Sequence, residues 1–171
     1  MADGWVGLDM GDPKRIRKKY ETPSHPWRRE SLEEELKLMG EFGLRNKREL
    51  WKAASILRKY RAMARKLFVA VGEKRVVEES RLIGRLNRLG VLPQGATLDD
   101  VLKLTVRDFL ERRLQTVVFR AGLARTIFHA RQLITHGKIL VGDKKVKAPS
   151  YHVNKGEEEI VRLAEKISAK T

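Results

Sequence analysis

The stretch ERRLQTVVFRAGLARTIFHARQLITHGKILVGDKKVKAPS, residues 111–150, decides how this chain reads. Projected at about 100° per residue, residues 110–121 place Leu110, Leu114, Val117, Val118 and Ala121 on one side of a helix, with Arg113, Thr116 and Arg120 on the other. Gly122 ends that helix and Thr126 is placed to cap the next. In the second helix Ile127, Ala130, Leu133 and Ile134 form the inner stripe, leaving His129, Gln132 and His136 outside with Arg131 beside them. After Gly137 the period shortens to that of a strand. Residues 138–141 and 144–147 flank Gly142 and Asp143, and a glycine supplies the positive φ that a two-residue hairpin needs. Pro149 ends the pairing, and residues 159–163 suit a further strand. Two helices joined by a short link must pack together, so their polar faces are expected to converge as a platform, with Arg113, Arg120, Arg125 and Arg131 its guanidiniums. Phe119 and Phe128 fall at the stripe boundary and are expected in the core.

Charge follows the same segment. Residues 107–147 hold ten cations against Asp108, Glu111 and Asp143, a net +7 of the chain's +15. So much positive charge on a piece with folding signals argues for a binding surface more than for solubility alone. Arginine suits phosphate because its planar fork meets two oxygens at once. The hairpin lysines Lys138, Lys144 and Lys145 add mobile point charges.

Upstream, a basic helical layer is expected. Ser31 and Glu34 have the spacing of a capping box opening a helix to about Met39, which stops at Gly40. Asn46 and Glu49 open a longer helix to Gly72, with Leu50, Ala54, Leu57, Arg61, Ala64, Leu67 and Phe68 at a period near 3.6. Residues 74–89 continue with Val76, Val77, Leu82, Ile83, Leu86 and Leu89 inward and Arg81, Arg85 and Arg88 outward. Thr97 with Asp100, and Thr105 with Asp108, cap two short helices. Residues 1–30 show no period. They carry three prolines and the cations Lys14, Arg15, Arg17, Lys18 and Lys19, and read either as a solvated tail or as an arm ordered by a polyanion, with Tyr20 and Trp27 as anchors. The tail from Ala164 reads as a short helix or a frayed end.

Composition removes several classes of function. No cysteine is present, which excludes disulfides and thiolate zinc sites, and no two of the four histidines have metal-binding helical spacing. We therefore expect no metal and no cofactor. No apolar run approaches the ~18 residues of a spanning helix, and no signal-peptide stretch opens the sequence, so a cytoplasmic protein without membrane contact is expected. The sequence pI of about 10.3 favours nucleic acid.

Particular residues carry a resemblance. Glu111-Arg112-Arg113-Leu114-Gln115-Thr116, Gly122-Leu123-Ala124-Arg125, Ala130-Arg131-Gln132-Leu133-Ile134 and His136-Gly137-Lys138-Ile139 resemble the RNA-binding module named for small-subunit ribosomal protein S-four. Pseudouridine synthases, bacterial tyrosyl-tRNA synthetases and ribosome-associated heat-shock proteins share that module. Glu35-Leu36-Lys37 and the run from Glu41 to Trp51, with Gly11-Asp12-Pro13-Lys14-Arg15 before them, are similar to the archaeal and eukaryotic form of the ribosomal protein family itself. Many bacterial members carry a zinc-binding cysteine cluster near the N-terminus, which this chain lacks.

The expectation is an α+β chain: a basic arm (1–30), a basic helical domain (31–106), a small RNA-binding module of two helices plus a short antiparallel sheet (107–163) and a tail (164–171). The resemblance implies a structural constituent of the small ribosomal subunit that is a primary binder of its ribosomal RNA, nucleates assembly of the subunit body, contributes to translational accuracy and contacts proteins S-five and S-twelve. The candidate RNA contacts are the arm cations; Arg45, Asn46, Lys47 and Arg48; Arg112, Arg113, Thr116, Arg120 and Arg125; His129, Arg131, Gln132 and His136; and Lys138, Lys144 and Lys145. An RNA-modifying enzyme or ribosome-associated factor is the alternative, but two basic modules occupy residues 31–163 and leave no room for a catalytic domain. A helix-turn-helix DNA binder would use residues 113–136 yet leaves the hairpin unexplained.

Overall fold

The computed structural model describes residues 18–164. Lys14, Arg15 and Arg17 of the arm, and the tail beyond Ala164, lie outside the described residues. Five helices, α1 (Arg29–Glu41), α2 (Lys47–Val69), α3 (Glu73–Arg88), α4 (Leu98–Lys103) and α5 (Val106–Glu111), form the first layer. The helices α6 (Leu114–Arg120) and α7 (Ile127–Thr135) then pack on a sheet of β1 (Ile139–Val141), β2 (Lys144–Lys145) and β3 (Val161–Leu163), in the order β2-β1-β3 with both pairings antiparallel. The α+β expectation holds.

Local chemistry sets most boundaries. The Asn46 side chain accepts the Glu49 backbone N–H at 3.2 Å, and both threonine boxes close, with Asp100 accepting from the Thr97 backbone N–H at 3.0 Å and Asp108 from that of Thr105 at 2.7 Å. Thr126 caps α7 through the His129 N–H at 3.1 Å. The capping box expected at Ser31 does not form. A turn from His25 to Arg28 with Pro26 at its second position feeds the chain into helix at Arg29, so Ser31 already lies inside α1.

The helix expected over residues 110–121 is two helices. Arg113 is extended, with φ −73° and ψ 141°, and sits in an antiparallel bridge to His152. Val153 N–H donates to the Arg112 carbonyl at 2.9 Å, and Leu114 N–H to that of Tyr151 at 2.7 Å. These strand-like bonds compete with the helical ladder at residues 112–114 and reset its phase.

Three apolar clusters hold the molecule. Leu57, Ala64, Leu86, Val101 and Phe109 centre the one between α2, α3, α4 and α5; Phe42, Leu44, Leu50, Ala53 and Leu110 form another under α1. Leu114, Val118, Ala130, Ile134, Ile139 and Val153, all without exposed surface, centre the third. Burying each large aliphatic side chain contributes about 1.5–3 kcal/mol. The clusters part between Leu110 and Leu114, at the helix break. Six apolar expectations fail, among them Phe68 near the end of α2 and Ala121 after α6, both exposed. Val76 and Val77 point outward at 67% and 48% exposure because α3 buries mainly Leu82 and Leu86; Phe119 and Phe128, at 40% and 62%, face solvent because the small third cluster is filled by aliphatics.

Candidate nucleic-acid interface

The seam between the two units is built on one carboxylate. Glu49, in the first turn of α2, accepts both terminal nitrogens of Arg131 from α7, at 2.6 and 3.1 Å, and Nη2 of Arg113 at 3.0 Å. Gln115 donates Nε2 to the carbonyls of Gly43 and Ile127 at 3.0 and 3.1 Å, and its Oε1 accepts from Arg131 at 3.3 Å. Burial alone would raise the Glu49 carboxyl; hydrogen bonds and attraction from Arg131 and Arg113 outweigh it and hold the group below its ordinary value. Burial pulls the Arg113 guanidinium down from its usual value, and Glu49 offsets part of that pull. The backbone comes close here too. Gly43 has φ +56°, and a Cβ on it would lie 2.7 Å from Ile127 Cγ2.

This seam corrects the expected platform. Arg113 is only 4% exposed, because the helix break turns it inward onto Glu49. Thr116 is buried as well, its hydroxyl donating to the Leu110 carbonyl at 2.9 Å. Neither side chain is open to phosphate. Arg131 is half-buried in the same clamp, Arg112 pairs with Glu158, Arg120 with Glu111 at 3.0 Å, and Lys47 with Glu35 at 3.0 Å. Of the four guanidiniums expected to converge, Arg125 alone is exposed with no ion-pair partner among the described residues.

The open cations lie around the seam. Arg45, Asn46 and Arg48 are exposed where α2 begins, and α2 reaches α7 through Glu49 and Arg131. Along α7, Gln132 and His136 are exposed, while His129 accepts the Arg125 N–H at 3.3 Å and so braces the loop that presents Arg125. Beyond His136 the hairpin continues the strip: the Lys145 side chain crosses so close over Gly137 that a Cβ there would meet Cε at 2.6 Å, and Lys138 and Lys144 are exposed on either side of the turn. Arg45, Arg48, Arg125, Lys138, Lys144 and Lys145 have no carboxylate within ion-pair distance among the described residues. Exposed Phe128 adds an aromatic face. On the arm, Lys18 sits 4.7 Å above the Tyr20 ring, Tyr20 packs against Trp51, and Lys19 is exposed.

What sequence reasoning missed is the seam itself. Glu49 was legible only as a capping partner and Gln115 only as part of a motif; neither carries a local mark of a tertiary clamp. Among the described residues no cluster of three or more metal-ligating side chains occurs, and no helix is long and apolar enough to cross a membrane.

The break at residues 112–113 coincides with a division between two family models. The model described as "Ribosomal protein S4/S9 N-terminal domain" matches residues 11–111, and the "S4 domain" model matches residues 112–159. The chain belongs to the ribosomal protein S4 family. It is similar to small ribosomal subunit protein uS4 of Ignicoccus hospitalis, 57% identical over 155 residues that cover 91% of this chain and 93% of the relative. The uS4 protein of Hyperthermus butylicus is 56% identical over 91% and 88%, and that of Saccharolobus solfataricus 53% over 89% and 84%. Members of the ribosomal protein S4 family are structural ribosomal proteins and not enzymes. The S4 identity also accounts for the order of the two units, helical layer first and RNA-binding module second.

Proposed function

We propose that this chain is a structural constituent of the small ribosomal subunit and a primary binder of its ribosomal RNA, nucleating assembly of the subunit body and contributing to translational accuracy. The observation that carries the RNA contact is the strip of unpaired cations from Arg45 and Arg48, past Arg125, Gln132 and His136, to Lys138, Lys144 and Lys145. Each phosphate these side chains neutralise releases condensed counterions, so binding is driven by charge and weakens steeply with salt. The clamp at Glu49 holds the helical layer and the module in fixed relation, which lets two patches grip two segments of one folded RNA without further ordering cost. Asn46, His129 and Lys47 border the strip. Lys18 and Lys19 add exposed cations on the arm, and Lys14, Arg15 and Arg17, outside the described residues, belong to the same reading by their charge alone. Arg112, Arg120 and Arg131 serve the protein's own packing first and the RNA at most by their outer edges. Contacts with neighbouring proteins S-five and S-twelve, and residence in cytoplasmic ribosomes, belong to the same reading and rest on family membership.

Crosslinking in cells followed by sequencing of the attached RNA tests it. The expected result is one peak in a single region of small-subunit ribosomal RNA. Signal spread over many transfer or messenger RNAs, or turnover of a uridine-containing substrate, would favour a modification or ribosome-associated factor instead.

A further inference from the structure

A second group of unpaired cations lies in a cleft between the helical layer and the loop before β3, which meets the hairpin end of the strip where Gly142 N–H donates to the Ile160 carbonyl at 3.1 Å. Lys59 and Tyr60 of α2, Arg85 and Arg88 of α3, and His152 and Lys155 of the loop line two adjoining hollows, the larger of about 730 Å³, that share Tyr60, Arg85 and Leu89. The wall is tied together: Lys155 N–H donates to the Arg88 carbonyl at 2.8 Å, fixing the loop on the end of α3. The Tyr60 ring is stacked on Phe109, with centroids 5.7 Å apart and planes at 15°.

The charge balance in this cleft is one-sided. Glu157 is the one carboxylate among the lining residues, and its own loop occupies it. The Asn154 backbone N–H reaches it at 3.0 Å, Asn154 Nδ2 at 3.0 Å and the Tyr151 hydroxyl at 3.1 Å. Lys59, Arg85, Arg88 and Lys155 are exposed and have no carboxylate within ion-pair distance among the described residues. Four like charges held around one concavity repel each other, which a folded protein tolerates where an anion relieves them.

We propose that this cleft is a further RNA-binding site, which takes the phosphodiester backbone of an unpaired or sharply kinked RNA segment and offers Tyr60 to a base. Unpaired nucleotides are the ones whose bases are free to meet aromatic rings, and Tyr60 lines both hollows. The proposal rests on the reading of this chain as a ribosomal RNA binder and adds a location and a strand state to it.

Titration of the full chain with in vitro transcribed small-subunit ribosomal RNA at several salt concentrations tests the cleft. The charge-reversed pair Arg85→Glu with Arg88→Glu is compared with Lys37→Glu plus Lys103→Glu, which changes net charge equally on other surfaces. The cleft pair is expected to bind roughly tenfold more weakly and to lower the log–log salt slope by about 2, while the control keeps its slope. Lys155→Ala, outside any helix, is expected to lower the slope by about 1 with an unchanged unfolding temperature. Ultraviolet crosslinking of the wild-type complex should join the Tyr60 peptide to a nucleotide unpaired in the folded RNA. Equal losses in the cleft and control pairs, or a Tyr60 crosslink to a base-paired nucleotide, overturn the cleft while leaving the strip in place. Failure of the wild-type chain to bind the RNA overturns both.

Discussion

Arginines 113 and 131 and arginine 125 come from one short segment yet do opposite work. The first two are drawn onto Glu49, where they join two folding units; Arg125 stands on a loop with no partner and is left for a ligand. The hairpin lysines resemble Arg125, and the α2 start holds both kinds side by side, with Arg45 and Arg48 open and Lys47 paired to Glu35. A positive charge count therefore measures capacity for binding; the pairing around each cation decides whether it is used inside the protein or outside.

The sharpest way to break the contrast is Glu49→Gln, which removes the charge that compensates a buried guanidinium. It is expected to cost about 3 kcal/mol, the low end for breaking a buried pair, read by chemical denaturation. Gly43→Ala should come next. Its φ of +56° and the contact with Ile127 predict a loss of about 2 kcal/mol in the same assay.

Acid sharpens the comparison further. Burial first, and then the nearby Arg113, hold the His152 imidazole below its ordinary value of 6.5, so it is neutral in the fold and charges more readily in the unfolded chain. Stability is full above that value and falls as pH drops through and below it. Glu49, with its carboxyl held below 4.5, adds a second loss on acidification below that value, which Glu49→Gln should abolish. Denaturation curves between pH 7 and pH 3, endpoints set on the order of the ordinary His and Glu values, read both steps. The smallest stability effect belongs to Arg125→Ala and Lys144→Ala: within about 0.5 kcal/mol of wild type, yet with the RNA-binding salt slope lowered by about 1 each. A large loss of stability in Arg125→Ala would erase the distinction between clamp and strip.

How much of this was legible follows the range of the interactions. The caps at Asn46, Thr97, Thr105 and Thr126 and the hairpin turn at Gly142 and Asp143 depend on residues within a few positions, and each appears where the pattern places it; the third strand, expected over 159–163, forms only over Val161–Leu163, where it pairs with β1. Ser31 failed because a proline turn just upstream started the helix first. The inner stripe of α7 was legible from period alone, whereas the outer face assigned to Arg113 and Thr116 was lost when residues 112–114 paired with 151–153. That pairing spans some forty residues, and nothing local announces it.

The sequence alone determined the caps at Asn46, Thr97, Thr105 and Thr126, the hairpin, the family and the excess of positive charge, because propensity, turn chemistry and composition act over short distances or none. The tertiary structure decided which cations remain available. A carboxylate on α2 reaches guanidiniums 64 and 82 residues away in the chain, and only folding makes that distance about 3 Å.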